Sequence, residues 1–140
     1  MSHAFWARMH GGATHFPIAL LIASVVFDGF SLFTQKQDRV RDLRAASYYS
    51  LLLAALGGVG AAFTGLMLTQ WQAYGSGLLG EHHDFVWPAF ALLVGLAVWR
   101  AMIGDGASRR AYFVYVALLA ITAALMAAAG YWGGEMLLSQ

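Results

Sequence analysis

Apolar residues along this chain gather into four stretches of membrane-spanning length, separated by short polar or glycine-rich segments. That alternation predicts an all-α fold, a four-helix transmembrane bundle. The first span covers about residues 16–34, apolar except for Asp28 and a few small hydroxyls, with Pro17 placed in its first turn where a missing N–H costs nothing. Lys36–Arg44 (KQDRVRDLR) is the densest charge cluster and predicts a polar connection to a second span at 48–71. Gln72–Gly80 is glycine-rich and predicts a loop, after which EHHD opens a third span at 82–103 that contains Pro88. Gly104–Arg110 predicts the next turn, and the fourth span, 112–132, is closed by Gly133 and Gly134.

Small residues recur at four-residue intervals in the second span, as Ala54/Gly58/Ala62 and Gly57/Ala61/Gly65, and in the fourth as Ala120/Ala124/Ala128. Such stripes let a neighbouring backbone come close, and helix packing is their first explanation. Composition agrees with a membrane chain: 60% of the 140 residues are hydrophobic and 11% are charged, against roughly a quarter charged in soluble domains. The spans use up the length, so a single domain over 1–140 is expected. The first fifteen residues lack an apolar run followed by a small-residue cleavage site, so they do not read as a removable signal peptide.

A net charge of +1 gives no field for nucleic acid, and the absence of cysteine excludes disulfides, thiolate metal sites and cysteine-ligated clusters. No phosphate loop or nucleophile elbow is present either, which leaves nucleotide hydrolysis and acyl transfer without a motif. Lys36, Arg39, Arg41, Arg44, Arg100, Arg109 and Arg110 all belong to one side of the predicted topology, leaving only Arg8 on the other. The retention of basic residues on the cytoplasmic side then predicts a multi-pass protein of the bacterial inner membrane with both termini periplasmic.

The same topology sends every histidine to the outer end. His10 and His15 precede or open the first span, His82 and His83 open the third, His3 lies in the outer tail, and Glu81, Asp84 and Glu135 join them. Ionisable groups at membrane depth are costly and normally face the bundle interior with a partner. A neutral imidazole is a good axial ligand for haem iron and a common ligand for other metals, and bundle cores hold such cofactors between facing helices. His15 with His82 or His83 is the expected axial pair for haem b, His10 a further ligand or propionate donor, and Arg8 a propionate partner or an interfacial anchor. His82 and His83 stand about 100° apart on a helix, so only one can face the axis, and His83 is slightly preferred. The alternative is a non-haem Fe, Cu or Zn site built from His10, His15, one of His82 and His83, and Glu135.

The remaining polar and aromatic residues have plainer expectations. Asp28 is expected to bind hydroxyls from other spans as a structural link. The five tryptophans lie near span ends as an interfacial belt, and the methionines fill packing gaps.

The segments HGGATHFPIAL, TGLM, EHHD and GYWGGEM, in this order and on these helix ends, resemble the bacterial four-span membrane family catalogued as domain of unknown function 2231. The resemblance extends over nearly the whole chain. It maps the family's polar positions to His10, His15–Leu20, Thr64-Gly65, His82 or His83, and Tyr131 with Gly133, Gly134 and Glu135. HGG replaces the more usual His-Pro opening, and the doubled histidine leaves two residues for one family position. What the resemblance implies is a fold and a set of polar positions. Ligand chemistry therefore carries the functional expectation: a b-type cytochrome-like subunit of a respiratory chain, relaying electrons between the quinone pool and a membrane or periplasmic redox complex, and itself non-catalytic. A cofactor-free structural or assembly subunit is the remaining alternative.

Overall fold

The computed structural model describes residues 2–138 and consists of four long helices. They are α1 (His3–Phe33), α2 (Gln37–Leu68), α3 (Leu78–Ile103) and α4 (Arg109–Leu138), with a short 3-10 turn at Gly104–Gly106. No strand occurs among the described residues. Each helix is long and apolar enough to cross a membrane.

The helices run well beyond the predicted spans. At 26 to 32 residues they measure roughly 39–48 Å, against ~30 Å of hydrocarbon. Three expectations are corrected as a result. Lys36–Arg44 is not a connection: α2 already begins at Gln37, and the link from α1 is only Thr34 to Lys36. Nothing in that segment breaks a helix, and Asp38 in the first turn complements the helix dipole. Pro17 is not in a first turn but deep inside α1, which starts at His3 where the Ser2 hydroxyl accepts the Phe5 N–H at 3.3 Å. Gly133 and Gly134 do not stop α4 either, since neither adopts positive φ and the helix runs on to Leu138.

Packing follows a ring, α1 against α2, α2 against α3, α3 against α4 and α4 against α1, with no close backbone approach across either diagonal among the described residues. The two sequential hairpins, α1–α2 and α3–α4, make the most extensive seams. Buried positions recur every three and four residues: Pro17, Leu21, Ser24, Asp28 and Ser31 on α1, and Ser47, Leu51, Ala54, Gly58, Ala61 and Thr64 on α2. This is the spacing of left-handed helix pairs, and it draws on both of the small-residue stripes seen in the sequence. Gly57 abuts Phe16 and Pro17, and a Cβ on Gly58 would meet Leu93 of α3 at 3.1 Å.

Polarity is distributed opposite to that of a soluble bundle. Phe30, Phe33, Leu56 and Phe113 are exposed, whereas Ser24, Asp28, Ser47, Arg100 and Thr122 are buried. A lipid-facing surface has no reason to be polar, and buried hydroxyls can bond across helices. Ser24 and Ser47 do so, with their oxygens 2.8 Å apart across the α1–α2 seam.

Candidate functional site

At the end of the bundle that holds the α2–α3 loop, two histidines are held in matching ways. His10 of α1 donates from Nδ1 to the Ala61 carbonyl of α2 at 3.0 Å, with the Thr64 hydroxyl oxygen 3.3 Å away. His82 of α3 donates from Nδ1 to the Ala129 carbonyl of α4 at 2.8 Å. A carbonyl can only accept, so both rings carry the proton on Nδ1 when neutral, and Nε2 is left with its lone pair. Four residues past each carbonyl lies a glycine under the ring: a Cβ on Gly65 would come within 3.0 Å of His10, and one on Gly133 within 3.7 Å of His82. The two imidazoles are near enough for charge on one to act on the other, although their helices occupy opposite corners.

The correspondence extends along both hairpins. Eighteen residues separate His10 from Asp28 on α1 and His82 from Arg100 on α3. Seventeen separate Arg44 from Ala61 on α2 and Tyr112 from Ala129 on α4. The molecule is thus two hairpins of one construction, carrying like residues at the histidine end and unlike residues at the other. This offset is visible in the residue numbers, but it becomes a signal only once the imidazole–carbonyl pairs are known.

His83 is used differently. It is buried, and its Nδ1 accepts the Gly75 N–H at 3.1 Å, which leaves the proton on Nε2. Tyr74 meets its ring edge-on, and Trp87, one turn later, donates Nε1–H to the Ala73 carbonyl at 2.7 Å. Together they fasten the α2–α3 loop to α3. The backbone there is tight: Gln70 and Trp71 both have positive φ, directly after α2. The angular split expected for adjacent residues on a helix therefore sends His82 to α4 and His83 to the loop.

The other predicted site residues lie apart from this pair. His15 is exposed on α1 and makes no hydrogen bond to a described residue; Arg8 is exposed two turns below. Glu135 is half-buried near the end of α4. Among the described residues no three His, Asp or Glu side chains are grouped to hold a metal ion. Trp6, Phe63 and Trp71 form an aromatic chain at this end, with centroids 6.2 and 6.4 Å apart.

The opposite end holds a buried polar cluster. Tyr112 donates its hydroxyl to Asp28 Oδ1 at 2.5 Å and lies 3.2 Å from the Ser31 hydroxyl. The hydroxyl link expected of Asp28 is therefore present, with tyrosine as the donor. Arg44 stands over the Tyr112 ring at 4.0 Å and Arg100 at 5.5 Å, where the face of the ring favours a cation. In the sequence these arginines signal orientation only, and nothing in their spacing announces a shared ring. Asp28 Oδ2, the Tyr115 hydroxyl and Arg44 Nε are buried without a hydrogen-bond partner among the described residues.

A family described as predicted membrane protein (DUF2231) matches residues 8–140. No curated protein and no solved structure matches the chain.

Proposed function

From the chain's membership of the DUF2231 family, to which it belongs over residues 8–140, a membrane-embedded bundle is the premise, and we propose that the chain is an electron-transfer subunit in which His10 and His82 would hold a haem b. The observation that supports this reading is the pair of Nδ1–H bonds to Ala61 and Ala129. A ligating histidine normally gives its second N–H to a carbonyl or carboxylate, which fixes the tautomer, aims Nε2 and raises its basicity. Both rings already have that arrangement, and Gly65 leaves space for the His10 ring. The donor set suits haem iron: two neutral imidazoles from separate helices, in a bundle end lined by aromatic rings.

Bound haem, held by His10 and His82, would supply one-electron exchange. The chain's own residues orient the imidazoles and close the bundle end. Arg8, the one basic residue on this end by sequence, would neutralise a propionate. The pair of ligands differs from the pair expected first, because His15 lies exposed and His83 spends its Nδ1 lone pair on the loop. The arginine distribution supports a periplasmic site in the bacterial inner membrane, with the quinone pool and a membrane or periplasmic redox complex as exchange partners.

The test is a reduced-minus-oxidised absorption spectrum of the detergent-solubilised protein from haem-replete cells. A sharp α band is expected, abolished by His10→Ala and by His82→Ala but retained in His15→Ala, with helical circular dichroism unchanged in all three. A colourless protein, or a band indifferent to His82, overturns the assignment.

A further inference from the structure

A groove of about 250 Å³ opens between α2 and α3 at the end opposite the histidines, lined by Arg41, Arg44, Tyr48, Tyr49, Arg100 and Gly104 among others. Arg41 and Arg44, three residues apart on α2, put two guanidinium groups on one concave surface at the head of two membrane helices, and Arg side chains present forked donors suited to phosphate oxygens. We propose that this groove binds the phosphate of an anionic phospholipid headgroup.

Several features favour a lipid phosphate. The recess is held open by packing and does not rely on flexible side chains: Arg100 is 3% exposed and gives Nη1–H to the Gly104 carbonyl at 2.6 Å, at the C-terminus of its own helix. Arg44 is fixed over the Tyr112 ring and has an unpartnered buried Nε. Asp28, the carboxylate of the adjoining cluster, is buried and accepts the Tyr112 hydroxyl at Oδ1. Tyr49, beside the groove, is 63% exposed on the outer face of α2, where an amphipathic ring sits at headgroup level. Basic recesses between spans are known sites for anionic headgroups, with each basic residue near the surface contributing about fivefold in affinity.

The site is tested by reconstituting the full chain in nanodiscs of phosphatidylcholine with or without phosphatidylglycerol and measuring co-purified lipid by native mass spectrometry. Retention of phosphatidylglycerol over phosphatidylcholine is expected. Arg41→Gln, on the exposed side of the groove and outside the packed cluster, should lower that retention about fivefold, as should Arg44→Gln. Arg110→Gln, an exposed arginine of α4 outside the groove, should not. Thermal shifts with short-chain phosphatidylglycerol and with inorganic phosphate separate the sources. Stabilisation by the lipid and not by the free ion supports the proposal, and stabilisation by inorganic phosphate alone overturns it. Equal retention of the two lipids, or an equal loss in Arg41→Gln and Arg110→Gln, also overturns it.

Discussion

Replacing Gly65 with alanine probes how the His10 imidazole is held. A Cβ at this position would lie 3.0 Å from His10 Cε1 and 3.3 Å from Nδ1, closer than ordinary van der Waals contact. The ring has little freedom to slide away, because Nδ1 is tied to the Ala61 carbonyl at 3.0 Å. Relieving the overlap therefore lengthens or breaks that bond. A hydrogen bond between membrane helices contributes about 0.6–1 kcal/mol, and forcing a methyl into a packed seam costs about 1 kcal/mol more. Against that combined loss of about 1.5–2 kcal/mol, alanine in a helix gains about 0.5–1 kcal/mol over glycine. Gly60, on the same helix, supplies the reference, since its Cβ would meet nothing within 4 Å and its variant should show the gain alone. Gly133→Ala should behave like Gly60→Ala, because the nearest His82 atom is 3.7 Å away. Stability would be read from reversible SDS-titrated unfolding in mixed micelles, with the α band followed on the same samples. Gly65→Ala should fall about 1.5–2 kcal/mol below Gly60→Ala and weaken the band. Indistinguishable stabilities for those two variants would refute the packing account.

Two further outcomes follow from the same geometry. Tyr112→Phe keeps the ring that Arg44 covers but removes the donor to Asp28; a hydrogen bond to a charged group contributes about 1.5–3 kcal/mol, so unfolding should show a loss of that size, and a change under about 0.5 kcal/mol would mean that Asp28 does not depend on the tyrosine. Trp87→Phe deletes the Nε1–H bond to Ala73 and should act locally, with faster amide exchange across residues 69–77 and little change in the exchange of α1 and α4.

The architecture was legible because lipid imposes a single requirement on the backbone. Every N–H and C=O in hydrocarbon must be satisfied within the chain, so four long apolar stretches have to be helices. Where the helices ended was less legible, since Lys36–Arg44 and the first fifteen residues are compatible with helix in either environment and only a breaker would have decided. Gly133 and Gly134 look like such a breaker, yet in α4 neither takes positive φ and the helix continues through them to Leu138. The identity of Asp28's partner type was also readable, because a carboxylate buried in a span needs a donor. Which donor it found was not.

Sequence by itself determined an all-α membrane bundle with its histidines at one end and every arginine but Arg8 at the other, because hydropathy and topology act over whole segments and tolerate errors of a residue or two. Helix phase tolerates no such error. A single residue turns a side chain through 100°, so only the packed bundle decided that His10 and His82 face inward on matched carbonyls, that His83 fastens a loop, and that His15 looks outward. The meeting of Arg44 and Arg100 on one tyrosine ring likewise depends on three helices arriving together, which no spacing within one helix encodes.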